Sequence, residues 1–203
     1  MVSKIEKQGL LLKTTRGLLA NNGVEGTSME DIAIAANYTR RTLYSYFKSQ
    51  QDVFMQVFIV DLENRWHLQK KSMKSIEGGL NKLQVWANTL FDFAKTNPQA
   101  MQLQAYWDYN GVNSEKIDPD TFERFKSLNT VIAEGLRAIF KEGIHEGSID
   151  QTINIDMTIS HFIYSHRAIL QRALAPTYSF AEFKSDAYVE AFLKTFIDGI
   201  KTK

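Results

Sequence analysis

Ten residues near the N-terminus concentrate groups that bind a polyanion. Residues 39–48 read TRRTLYSYFK, with Arg40 beside Arg41, hydroxyls at Thr39, Thr42, Tyr44 and Tyr46, and an ammonium at Lys48. An arginine can bond a guanine edge through two parallel hydrogen bonds. Threonine, tyrosine and lysine donate to phosphate oxygens and so set a register along a duplex. Leu43 and Phe47, four residues apart, form an apolar side that can anchor a helix carrying these groups. On helical spacing Arg41, Tyr44 and Lys48 fall at i, i+3 and i+7 and share one face. Two adjacent arginines taken alone are more often a solvated surface, so the frame around them decides the reading.

That frame is a series of helix starts. Ser28 precedes an amphipathic run and has Asp31 three residues later, a capping-box pattern. Ile32, Ala33 and Ala36 are the inward residues of that run, and small alanines let helices cross closely. Asn37-Tyr38 is the joint, since asparagine tolerates a left-handed backbone. Thr39 caps the next helix, and Ser49, with Asp52 three on, caps the one after. A helix, a tight joint and a second helix bearing outward donors is the layout in which the second helix enters the major groove and the first braces it.

The remainder predicts an all-helical chain. Of 203 residues 44% are hydrophobic, with three prolines, eleven glycines and no cysteine. A disulfide framework and a thiolate metal site are excluded, and a reducing cytoplasm is expected. No signal peptide or membrane span is expected, because Lys7 and Lys13 interrupt the N-terminal apolar run and no stretch approaches about 18 apolar residues. Net charge is +1, but residues 1–50 hold seven Lys and Arg against four Asp and Glu, the sign that suits a polyanion-binding head.

Helices are expected over 3–21, 50–74, 80–95, 98–109, 118–146, 155–174 and 182–201, besides the two short ones. In the first, Ile5, Leu12 and Leu19 recur every seven residues. Gly78-Gly79 is the clearest internal boundary. Glu142 and His145 make a single E-x-x-H spacing, whereas a di-iron bundle needs two such pairs and two further glutamates. No metal, cofactor or catalytic residue is expected, and no nucleophile–base pair is visible, so an enzyme is not expected.

Gly23, Thr27-Ser28-Met29, Ile32-Ala33, Ala36, Thr39, Thr42-Leu43-Tyr44, Tyr46-Phe47 and Ser49 together resemble the N-terminal signature of the TetR family of transcriptional regulators. The resemblance covers roughly the first 60 residues. It departs at Asn37, where the family usually has glycine, at Tyr38, where it has a small aliphatic residue, and at Gln50, where it often has a phosphate-binding lysine. It implies a helix–turn–helix head over 1–48, in a region extending to about 65, and a helical ligand-binding and dimerisation domain over 49–203. The implied DNA contacts are Ser28, Thr39, Arg40, Arg41, Thr42, Tyr44, Tyr46, Lys48 and Gln50. Trp86, Tyr106, Trp107, Tyr109 and Phe125 are the candidates to line a cavity for a small-molecule effector. Ile163, His166, Leu170, Phe192, Phe196 and Ile200, on the last two helices, are the candidates for a homodimer interface. The whole implies a one-component repressor that binds a near-palindromic operator as a homodimer and is released by its effector. A helical interaction or small-molecule-binding module without DNA binding is the alternative.

Overall fold

The structure is a computed structural model that describes residues 3–174 and 185–202. The expected start of the last helix, residues 182–184, falls outside the described residues. The fold is all-α: α1 (Lys4–Asn22), α2 (Met29–Ala35), α3 (Arg40–Tyr44), α4 (Gln50–Met73), α5 (Gly79–Thr96), α6 (Pro98–Asn110), a 3-10 turn (Ser114–Lys116), α7 (Pro119–His145), α8 (Ile155–Ala173) and α9 (Ser185–Ile200). Among the described residues no helix is long and apolar enough to cross a membrane.

The chain forms two compact units, Met1–Glu63 with Asn97–Leu128, and Asn64–Thr96 with Asn129–Lys203. The boundary expected after residue 48 falls inside the first unit, because the N-terminal half of α4 packs with the short helices. The core of that unit joins Leu11 and Leu19 of α1, Ile32 of α2, Leu43 and Phe47 at α3, Phe54 and Phe58 of α4, and Leu103 and Trp107 of α6. On α1 the buried line is Leu11, Thr15 and Leu19, spaced four apart. Of the seven-residue pattern expected there, Leu19 is buried and Leu12 is half-buried against the core, but Ile5 is 81% exposed.

The second unit packs Trp86, Leu90 and Phe93 of α5 with Leu136 and Phe140 of α7, Phe162 and Leu170 of α8, and Val189 and Leu193 of α9. Its tightest approach is at Gly79. A Cβ there would lie 2.4 Å from the backbone nitrogen of Gly143, so α5 can start against α7 only with glycine at that position. Glu146 fixes the same end by accepting from the Gly79 N–H at 2.7 Å. The glycine pair read as a boundary is thus a turn at Gly78, with φ +86°, followed by a packing contact.

Candidate nucleic-acid interface

The joint between α2 and α3 is built from backbone hydrogen bonds. Asn37 has φ +56°, the left-handed turn its side chain type tolerates. The N–H of Asn37 then reaches the carbonyl of Ile34 at 3.1 Å, and that of Tyr38 reaches Ala33 at 2.9 Å. These two bonds are the Schellman closure, which pairs the carbonyls left over at the end of a helix. The Tyr38 ring packs, half-buried, against the core of the unit, so its bulk is accommodated inward.

Caps fix where each helix begins. The Ser28 hydroxyl accepts from the Asp31 N–H at 3.2 Å, and Asp31 accepts from the Ser28 N–H at 2.8 Å. The Ser28 hydroxyl also donates to that carboxylate, and this holds Asp31 below the usual carboxylate range. Thr39 caps α3 by accepting from Thr42 N–H at 3.1 Å, and Ser49 caps α4 by accepting from Asp52 N–H at 3.1 Å. Asp52 is fully buried and accepts from the backbone N–H of Lys48 at 2.8 Å and of Asp118 at 3.3 Å. It ties the exit of α3 to the start of α7.

With Leu43 and Phe47 buried, the outer surface of α3 carries Arg40, Arg41 and Tyr44, all exposed, with Thr39 at its start. Arg40 sits 3.7 Å from the Glu30 carboxylate of α2. Both groups are largely exposed, so this is a weak, salt-screened pair that leaves the guanidinium reachable. Thr42 and Tyr46 are half-buried.

Two expected contacts are placed differently. α3 ends at Tyr44, so Lys48 is not the third member of its face with Arg41 and Tyr44; it lies beyond the helix, and its ammonium donates to the carbonyl of Ile117 at 3.3 Å. Gln50 is half-buried and its amide donates to the carbonyl of Thr27 at 2.5 Å. That bond braces the start of α4 against the segment before α2.

Residues 11–57 match the model of the bacterial regulatory proteins of the tetR family. The match runs from α1 into α4 and takes in the whole helix–turn–helix segment. That segment is a helix–turn–helix of the kind that DNA-binding transcriptional regulators carry. Solved structures agree over nearly the whole length. A transcriptional regulator, FadR of Bacillus subtilis, solved in complex with stearoyl-CoA, is 14% identical, with a TM-score of 0.75 over 95% of this chain and 98% of that one. A bacterial tetR-family regulatory protein from Rhodococcus RHA1 is 10% identical, with a TM-score of 0.74 and all of both chains covered. The fatty acid degradation regulator FadR of Bacillus halodurans is 14% identical, with a TM-score of 0.73 over 97% of each chain. At such identities the likeness is one of fold. No curated protein sequence matches the chain.

The residues expected to line an effector cavity fall in different units of the chain. Trp107 is buried in the core of the first unit, and Phe125 is half-buried against that core, its ring 6.2 Å from Phe58. Tyr109 is 90% exposed at the end of α6 and encloses nothing. Tyr106 lines a cleft of about 480 Å³ with Phe54, Gln50, Gln51 and Lys116. Trp86 belongs to the second unit and is buried there. Of the expected interface residues, His166, Leu170 and Ile200 are buried within the chain and have no surface to give a partner. Ile163, Phe192 and Phe196 are half-buried.

The core of the second unit also holds polar groups, His166, expected at an interface, and Gln69, which the sequence did not single out. Gln69 and His166 are fully buried. The Gln69 amide donates to the carbonyl of Trp86 at 3.1 Å, but its own oxygen, the Trp86 indole N–H and both His166 ring nitrogens have no hydrogen-bond partner. Each such group costs about 1–3 kcal/mol when left unmet. Burial, assisted by the positive charges of Arg65 and Arg167, lowers the His166 pKa to about 3, so the imidazole is neutral. A signal was present in the sequence. Asp61, Arg65 and Gln69 recur every four residues along the apolar stripe of α4, and all three are buried.

Proposed function

We propose that this regulator is a repressor that binds a near-palindromic operator as a homodimer, with α3 in the major groove, and that a small molecule held by the helical body releases it. The observation that carries the reading is the combination at α3. A closed Schellman joint and two capped helix starts fix a short helix by its buried Leu43 and Phe47, and Arg40, Arg41 and Tyr44 remain outside. Arginine reads base edges and Tyr44, Thr39 and Lys48 meet phosphates. For Lys48 this means exchanging the Ile117 carbonyl for a phosphate oxygen, a charge-assisted bond and hence a stronger one.

Two such helices related by a two-fold axis would sit about 34–36 Å apart, one turn of the duplex or a multiple of it. The pairing surface is the outer side of α8 and α9. There Met157 and Tyr164 are large and exposed, at 58% and 65%, with His161 between them and Ala187 and Ala191 exposed on α9. The effector acts by binding one arrangement of the dimer better than the other, a coupling on the order of 1–3 kcal/mol.

The test is stoichiometry. The chain at micromolar concentration should elute as a dimer of the 23.3 kDa protomer and bind duplex from beside its own gene at two chains per site. A protomer-sized peak with one chain per site contradicts the dimeric reading. Absence of salt-dependent duplex binding leaves the interaction-module reading in its place.

A further inference from the structure

Three elements of the second unit bring unspent hydrogen-bonding groups together. Gln69 of α4 bonds the backbone of Trp86 on α5. The Trp86 ring lies 6.3 Å from the imidazole of His166 on α8. His166 stacks nearly parallel with two phenyl rings, Phe162 at 5.5 Å and 14° and Phe192 at 5.8 Å and 8°. Stacking engages the ring face and leaves the edge, where both nitrogens sit, to bond. The unmet atoms at this point are the indole N–H of Trp86, the amide oxygen of Gln69 and the two ring nitrogens of His166. In a neutral imidazole one nitrogen donates and the other accepts.

Apolar side chains of similar size would fill this core without leaving any group unmet. Buried groups left unmet by the chain are the ones a ligand or an ordered water can satisfy. Its chemistry is legible. Two donors and two acceptors, on residues linked by these contacts and set beside the rings of Phe162 and Phe192, match a small head that accepts hydrogen bonds through oxygen and carries an apolar body. The positive charges of Arg65 and Arg167 bear on His166, and they repel a cationic head.

We propose that Gln69, Trp86 and His166 form the recognition point for the effector of this protein, and that the effector carries an uncharged or anionic oxygen head, an alcohol, carbonyl or carboxylate, on an aromatic or apolar body. This rests on the ligand-responsive reading above and specifies its chemistry. Gln69 and Trp86 orient the oxygen, and His166 supplies one further bond in the ring plane.

The test uses the full-length chain labelled with ¹⁵N and three probes that share one body: benzyl alcohol, benzoate and benzylammonium. Benzyl alcohol or benzoate should move the His166 imidazole nitrogen resonances saturably, and benzylammonium should leave them in place. His166→Leu and Gln69→Met should each weaken binding of the oxygen probes, followed by fluorescence of the tryptophans, by roughly tenfold, the size of one lost bond to a buried group. Two variants guard against one failing to fold. No saturable shift with either oxygen probe, equal binding of benzylammonium, or unchanged affinity in both folded variants overturns the proposal; the last of these is the outcome expected if the polar groups merely hold water. Duplex binding measured on the same wild-type sample without probe keeps the two readings apart. Its absence would sink the regulator reading, whereas failure of the probes beside intact duplex binding would sink only this site.

Discussion

The segment around α2 and α3 and the core of the second unit use buried polarity in opposite ways. At the flanks of the first, Thr27 and Asp52 are fully buried and fully engaged. The Thr27 hydroxyl donates to the carbonyl of Gly23 at 2.8 Å, and Asp52 gathers two backbone N–H groups. Ser28, Thr39 and Ser49 are likewise spent on helix starts. Polarity there sets geometry, and the groups left for a partner, Arg40, Arg41 and Tyr44, are all outside. In the second unit, Gln69, Trp86 and His166 keep unmet atoms inside. The head is finished before its ligand arrives, which suits a rigid reader of a groove. On the proposal above a ligand completes the second core, which suits a sensor whose stability depends on what it binds.

The largest effect that could break this contrast lies in the head's apolar anchor. Leu43→Ala removes a fully buried side chain and should cost about 2–5 kcal/mol. In a denaturant titration it should lower the stability of the chain and abolish duplex binding together. If duplex binding survives at full strength, α3 is not held by this core.

Next comes pH, which probes the other region. The His166 pKa is about 3 in the fold against an ordinary value near 6.5 when unfolded. Above about pH 6.5 both states hold a neutral ring and there is no effect. As pH falls below that, the unfolded chain takes a proton that the folded one refuses. Stability therefore drops by about 1.4 kcal/mol per unit until the folded value is reached. Between pH 7 and pH 5 the wild type should lose about 2 kcal/mol more than His166→Leu does. Parallel pH profiles for the two proteins would mean that the ring is not buried in its neutral form.

The smallest expected effect concerns the joint. Asn37→Ala at φ +56° should cost about 1–2 kcal/mol, while Asn37→Gly should be neutral or better. Equal stability of the two variants would show that the turn does not depend on a left-handed residue.

Much of this was readable from residue types. Ser28, Thr39 and Ser49 announced their helices because a cap needs a short oxygen-bearing side chain at one position, and Asn37 announced its turn because few residues tolerate that backbone. Such signals are local. Lys48 was misplaced on α3 because the helix end is set by Asp52 and Ser49 competing for the chain, a choice made by packing against α7. His166 looked like an interface residue for the same reason, since nothing in its own sequence neighbourhood says that Phe162 and Phe192 stack against it. Tyr109 shows the limit from the other side: its type suits a pocket, but it stands at the last turn of α6, where the chain faces solvent.

The central claim is that α3 reads duplex DNA through its outer arginines. The most direct measurement is the salt dependence of duplex binding for the wild type and for Arg41→Ala, whose side chain is exposed and whose loss leaves the core untouched. The account predicts that log K falls linearly with log salt for the wild type. For the variant it predicts affinity lower by about 1–3 kcal/mol, roughly 5–150-fold. An Arg41→Ala protein that binds the same duplex as tightly, with the same salt slope, would contradict it.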